Sequence, residues 1–323
     1  MSKGLYPFGL NHYRSLKFQK LRKLISKNQR KVKVEGAYGS SLSFLLIDIF
    51  SSINQQIFYI SNSKETALYV YSDIVELIGE INCSFLPSNY RSDTKKIKDE
   101  SNIINRSKTI RDILDKETKI IVTYPEAIFE KIPNEKEIDS KTINIEKGQF
   151  LKINSINELL FDLKFEKDDY VQQPGDFAKR GNIVDIFSFA YTSPLRIEFD
   201  GDTVESIREF NIDTQYSTKE LVEAKIIPDF SNESLIKRAN SIVELIDINT
   251  TLLVEEIDSI KKQLSKNFME NKNEYSDRLF LKEIDERKII HLNNFNKDFD
   301  IKLDIVKQPA FNKKFEILND ELK

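Results

Sequence analysis

One cysteine, Cys83, and two histidines, His12 and His291, are all that 323 residues provide of either type. A single thiol excludes a disulfide framework. One cysteine with two distant histidines also argues against a zinc site and against Ser-His or Cys-His nucleophilic chemistry. Charge of one sign is lacking too. Forty-nine basic residues face 52 acidic ones, for a net charge of −3 and a pI near 5.8. Nothing global draws the chain onto a phosphate backbone, so nucleic-acid contact would need a local patch. The lysine-rich stretches Lys17–Lys33 and Lys95–Lys98 are the two candidates, each read first as a solvated helix face or loop. A protein partner fits the balance better. Long hydrophobic runs are missing as well. The longest, Phe44–Phe50, carries Asp48 and falls far short of a membrane span. The polar opening carries no signal-peptide pattern, and a cytoplasmic protein with no membrane contact is expected.

What is present is ample core material. Hydrophobic residues make up 40% and charged residues 31%, a globular balance long enough for two or three domains. Up to about residue 125, short apolar runs alternate with helical patterns. KVKV, IFYI, Cys83–Leu86 and KIIVT read as strands. Between them, Leu42, Leu45, Leu46 and Ile49 recur at helical spacing, Ser63 and Gly79 read as start and stop of a second helix, and a third surrounds Ile103–Leu114. Such alternation predicts a parallel sheet covered by helices. After a helix at Ile156–Leu163 the rhythm changes to closely spaced strands: DDYVQ, GDFAKR, NIVDIFSF, PLRIEF and TVESIREF, separated by Pro-Gly, Arg-Gly, Ser-Pro and Asp-Gly-Asp turns. These predict an antiparallel α+β unit. Mixed α/β character then returns, with a strand TLLVEE, one long polar helix over 258–279, and strands at Lys288–Leu292 and Ile301–Val306. The expected organisation is an α/β domain in two segments, 1–125 and 216–323, interrupted by an α+β insertion at 126–215.

Strand, glycine turn and helix in KVKVEGAYGSSLS form the context a phosphate loop requires, and the pattern is G-x-x-x-x-G-K-[ST]. Gly36 takes the first glycine, Ser41 the second, Leu42 the lysine and Ser43 the metal-binding hydroxyl, with Gly39 and Ser40 between. Leucine puts an apolar side chain where charge must meet the β- and γ-phosphates. Weak anion binding by amides at a helix N-terminus and a purely structural turn are both open, the structural turn being favoured. Glu255 and Glu256, ending a strand, stand where such folds carry the acids that hold magnesium. Acids before a helix also occur for dipole reasons alone.

Residues 173–217, QPGDFAKRGNIVDIFSFAYTSPLRIEFDGDTVESIREFNIDTQYS, carry an ordered pattern of G-x-F-x-x-R-G-x-x-[VI]-D-[IV]-F followed by P-x-R-I-[ED]-F-x-G-D-x-[VI]-[ED]-S-I-R-x-F. This resembles the partner-binding domain shared by the excinuclease component UvrB and the transcription-repair coupling factor family. Leu42 separates the chain from UvrB, which keeps an intact phosphate loop. YPFGLNHYRSL, VTYPEAIFEKIP and QPAFNKKFEIL also resemble the coupling factor, whose N-terminus carries a degenerate copy of the UvrB core. The resemblance implies a degenerate helicase-like parallel-sheet domain, interrupted by an α+β UvrB-interaction-type domain. It implies a module without catalysis or cofactor of its own that binds the excinuclease component UvrA. ATP and Mg, and contacts to RNA polymerase and DNA, belong in such proteins to downstream domains. The ending FEILNDELK reads as an interrupted segment, so a piece of a longer protein is expected.

Carried over residue by residue, the resemblance places Arg180 against UvrA, where its planar fork can grip a carboxylate in two places. Gly181 turns the backbone beside it, Phe177 and Phe187 flank it, Lys179 supplies a rim charge, and Asp185 completes the expected partner-binding set. The plainer alternative makes Asp185, Arg196, Glu198, Arg208 and Glu209 cross-strand ion pairs and both phenylalanines core. The rival functions are a working ATPase or helicase core, opposed by Leu42, and a DNA-binding module, opposed by the net charge.

Overall fold

Two-residue alternation in the short apolar runs builds the larger sheet and feeds a separate core on each of its faces. The computed structural model describes residues 16–27, 29–90, 99–232, 235, 239–271, 277–293 and 298–305. Its first part comprises α1 (Leu16–Ser26), β1 (Lys31–Glu35), α2 (Ser40–Ile53), β2 (Ile57–Ile60), α3 (Lys64–Ile78), β3 (Cys83–Phe85), α4 (Glu100–Leu114), β4 (Ile120–Thr123) and α5 (Pro125–Ile128). The middle runs through β5 (Ile132–Pro133), α6 (Glu135–Ser140), β6 (Ile143–Glu146), α7 (Ile153–Asp162), β7 (Glu166–Lys167), β8 (Asp176–Arg180) and β9 (Ile183–Ile186). It continues with β10 (Leu195–Asp200), β11 (Thr203–Phe210), β12 (Ser217–Leu221) and β13 (Glu223–Ile226). The rest is β14 (Ala239–Asn240), α8 (Ile242–Leu245), β15 (Thr251–Glu255), α9 (Ile257–Asn271), α10 (Asp277–Asp285), β16 (Ile289–Leu292) and β17 (Ile301–Lys302).

The seven-stranded sheet has the order β17-β1-β16-β15-β2-β4-β3, and every pairing in it is parallel. Ile57, Tyr59, Ile120, Val122, Leu253 and Ile290 point to the face packed by α1, α2 and α3. Their neighbours Phe58, Ile60, Ile121, Leu252, Val254 and Ile289 point to the other, packed by α4, α9 and α10. Burial on both faces explains why these strands read as continuous apolar runs. Ser63 caps α3 by accepting from the Thr66 N–H at 3.2 Å, and Gly79 ends it at φ 85°, both as expected.

The six-stranded sheet has the order β12-β11-β10-β9-β8-β7, antiparallel except for β7 with β8. Its inner face, with Phe177, Val184, Ile186, Leu195, Ile197 and Ile207, packs on α7 and on Ile103 and Ile104 of α4. Helix α4 thus serves both sheets. The fold is α/β with a separate, mainly antiparallel sheet. Antiparallel pairing continues past residue 215 through β12, and β13 pairs with β6.

Two local expectations, the DDYVQ strand and the length of the last strand, are corrected. DDYVQ is a loop: the Gln172 and Gln173 amides both donate to the Asp176 carboxylate at 3.0 Å, leaving no neighbouring strand to receive them. The helix expected over 258–279 is α9 and α10, with 272–276 outside the described residues. The last strand ends at Lys302, and Val306 lies outside the described residues.

Three residues of the lysine-rich stretch pair with acids near the end of the described chain. Lys31 pairs with Asp285 at 2.8 Å, and Lys17 and Lys33 pair with Asp304 and Asp298. Lys20 donates to the Asp300 carbonyl at 2.8 Å. Lys95–Lys98 lies outside the described residues. No helix among the described residues is long and apolar enough to cross a membrane. Cys83 is buried, and burial pushes its thiol far up.

Leu253 is fully buried in the central strand β15. Leu253→Ala should cost about 2–5 kcal/mol, seen as a lower urea midpoint at unchanged slope.

Candidate functional site

All strands of the parallel sheet end on one edge, where ligands of such folds usually sit. Gly36 leaves β1 at φ 91° and passes so close to β17 that a Cβ would lie 2.5 Å from the Leu303 carbonyl oxygen. The first three amides of the loop are engaged within the protein. Gly36 N–H and Ala37 N–H both donate to Asn293 Oδ1, at 3.1 and 3.0 Å. Asn293 Nδ2 donates back to the Ala37 carbonyl at 2.6 Å. Tyr38 N–H donates to Ser41 Oγ at 3.0 Å, and that hydroxyl donates to the Tyr38 carbonyl at 2.6 Å. Gly39 caps α2 at φ 55°, and Ser40 is exposed. Leu42 is buried among the core residues of α1–α3. Ser43 is buried and donates to Asp73 Oδ2 at 3.0 Å. A triphosphate needs a lysine and a free hydroxyl here, and Leu42 and the engaged Ser43 supply neither, so these residues do not fit one. Asn293, supplied by the end of β16, was invisible in the loop's own sequence.

The two acids reach the same edge and are engaged there as well. Glu255 is buried and accepts from the Tyr59 hydroxyl at 2.7 Å, the Ser61 hydroxyl at 3.1 Å and the Asn62 N–H at 3.4 Å. Burial raises its pKa despite these donors. Glu256, at φ 45°, accepts from Asn62 Nδ2 at 3.0 Å. Tyr38 donates to Glu35 at 2.7 Å, and this bond with partial burial pushes its hydroxyl up to about 12.

The second candidate lies on the outer face of the antiparallel sheet. Asp185, from β9, is 2% exposed. Arg196 of the neighbouring strand grips it in two places, Nε to Oδ1 at 2.7 Å and a terminal nitrogen to Oδ2 at 2.9 Å. Arg180 of β8 pairs with the same Oδ2. A buried carboxylate is tolerable here because two guanidinium groups compensate it. The three arginines of this face differ in what they have left. Arg196 also donates to Gln215 Oε1 at 2.9 Å and to its carbonyl at 3.4 Å, and lies over the Phe210 ring at 4.4 Å. Arg208 pairs with Glu198. Arg180 spends one nitrogen on Asp185, lies over the Tyr170 ring at 5.0 Å, and keeps a side chain 38% exposed. Gly181 takes φ 61° in the two-residue turn after it, a conformation suited to glycine.

Of the expected partner-binding set, Arg180 and Gly181 sit where a partner can reach them. Lys179 bonds to Asn154 Oδ1 at 2.7 Å at the start of α7. Phe177 is fully buried in the inner core, and Phe187 is buried with Val171 and Ala178 on the opposite face. Asp185 is an internal anchor. Strand alternation sends Phe177 inward and Ala178 and Arg180 outward, so these residues cannot present one common surface. Arg196–Asp185, Arg208–Glu198 and Lys219–Glu209 are cross-strand ion pairs. Tyr170, beside Arg180, was not anticipated.

Residues 143–231 match the model of the UvrB interaction domain. Over those residues the chain is similar to that domain. It is 28% identical over 229 residues to the transcription-repair-coupling factor of Rickettsia bellii, covering 70% of this chain and 19% of that protein. It is 32% identical over 136 residues to that of Borreliella burgdorferi, 42% of this chain and 12% of the other. Against UvrABC system protein B of Lactobacillus johnsonii the identity is 25% over 226 residues, 64% of this chain and 33% of the other. The chain thus spans less than a fifth of the coupling factors it matches here, and about a third of the Lactobacillus protein.

Two outcomes follow. Asn293 stands at φ 61°, so Asn293→Gly removes the carboxamide without straining the backbone. It should cost about 1–3 kcal/mol by leaving buried loop amides without an acceptor, and a urea midpoint equal to the parent's would contradict this. For Glu255, an acid whose folded pKa is raised binds its proton more tightly folded than unfolded. Its contribution is therefore fullest below the ordinary value of 4.5 and declines as pH rises through the raised folded value. Glu255→Gln keeps an acceptor oxygen and removes the ionisation. Parent-minus-variant stability should fall with rising pH over that window, and a flat difference would refute the assignment.

Proposed function

We propose that this chain is the module of a transcription-repair coupling factor that recruits the excinuclease component UvrA in DNA repair. Its docking surface is the outer face of the antiparallel sheet, centred on Arg180. The observation that carries this reading is the unequal state of the three arginines on that face, within the region that matches the UvrB interaction domain. Arg196 and Arg208 have strong partners inside the protein, whereas Arg180 is held in place by Asp185 yet keeps donors and exposed surface for a partner carboxylate. A guanidinium pre-positioned in this way loses little freedom on binding.

The module recruits and does not hydrolyse ATP. Leu42 in the core and Asn293 on the loop amides support that part. Contacts with RNA polymerase and DNA, and the ATP-driven motor, lie in other segments of a longer protein.

The test is binding of the purified chain to its cognate UvrA beside Arg180→Ala. Micromolar or tighter binding is expected, weakened at least tenfold by the substitution, about 1.4 kcal/mol. Binding indifferent to Arg180 would move the surface elsewhere. A folded chain that does not bind would overturn the function.

A further inference from the structure

The loop before β8 leaves an aromatic ring largely exposed. Tyr170 is 59% exposed, yet the backbone on both sides of it is pinned. On one side, Asp168 N–H donates to the Phe177 carbonyl at 2.9 Å. On the other, Val171 is buried against Ala178 and Phe187, and the next two amides donate to the buried Asp176 carboxylate. Tyr170 therefore stands on a loop tied to the sheet on both sides. The guanidinium carbon of Arg180 lies 5.0 Å from its ring centroid, within range of a cation–π contact. Asp185 holds one terminal nitrogen of that guanidinium. Ring and carboxylate together fix a long side chain that would otherwise sample many rotamers.

We propose that Tyr170 is a positioning residue for Arg180, and that the two form one anchor for an acidic side chain of the docking partner. This rests on the docking reading above. Charge selects the partner chemistry: Asp185 engages one edge of the guanidinium, and the remaining donors suit a carboxylate. Tyrosine and arginine are also the residue types that dominate well-packed interface centres. Arg196 has the same device turned inward, with Phe210 against its plane and Gln215 and Asp185 on its donors, so it has less to offer a partner.

The test is a double-substitution cycle on the full chain, titrated with UvrA. Tyr170→Ala should weaken binding about three- to fivefold, the range of an exposed cation–π contact. Tyr170→Phe should stay within about twofold, because the ring face is retained. In an Arg180→Ala background, Tyr170→Ala should cause no further loss. An Arg180→Ala loss with Tyr170→Ala indifferent would overturn this proposal and leave the docking reading intact, as would an undiminished Tyr170→Ala loss in the Arg180→Ala background. Indifference to Arg180→Ala, or no binding at all, would overturn the docking reading. In either of those cases NMR of the free chain still decides the stacking. The Arg180 Nε–H resonance should be ring-current shifted in the parent and in Tyr170→Phe and should lose that shift in Tyr170→Ala. Equal shifts in all three would refute the positioning role.

Discussion

The central sheet is interleaved: β15 and β16 run between β1 and β2, so neighbours in the sheet come from distant parts of the chain. Most of what distinguishes the carboxyl edge depends on this. Because β16 lies beside β1, Asn293 at its end meets the glycine loop and occupies two amides there. Because β15 lies beside β2, Glu255 and Glu256 meet Tyr59, Ser61 and Asn62. The lysines of α1 and β1 find their acids on the segments flanking β16 and β17 for the same reason. Each exposed pair contributes little alone, about 0–1 kcal/mol. With Arg22 on Asp48, they pair four of the eight basic residues of this stretch with acids of the same fold.

The antiparallel sheet is organised around a different constraint, the compensation of one buried carboxylate. Asp185 draws Arg196 flat across the face and draws Arg180 toward it from the adjoining strand. What remains outward is the ring of Tyr170, the free edge of Arg180 and the turn at Gly181. This unit shares α4 with the parallel sheet, and Lys225 of β13 adds an ionic tie to Asp115 at 3.2 Å.

Much of this was legible in the sequence, where local chemistry decides the outcome. Continuous apolar runs specified two-sided burial in IFYI and KIIVT, Ser63 and Gly79 bounded a helix, and the Arg180-Gly181 turn joined two strands. Leu42 stood out in the loop's own sequence, whereas the contact that closes the loop did not. Asn293 is 257 residues from Gly36, and no local pattern marks an asparagine as an acceptor for a remote loop. DDYVQ resembled a strand because a single buried valine imitates alternation. Asp185 resembled a surface residue because its type is usually exposed, and only the two arginines across the strands make its burial tolerable. Phe177 and Phe187 resembled a pair, yet they occupy opposite faces of the sheet.

Interleaving also sets an order of assembly. The strands from β8 to β12 pair with their sequence neighbours, so that sheet can close as soon as its residues have left the ribosome. The parallel sheet cannot: β1 and β2 have no bond to each other and must wait for β15 and β16, which are synthesised much later. Until then both carry bare apolar edges, and closing loops this long makes the step slow. The chain order thus makes every partner of the antiparallel sheet available before the central strands of the parallel one, and open apolar edges are the feature that favours aggregation.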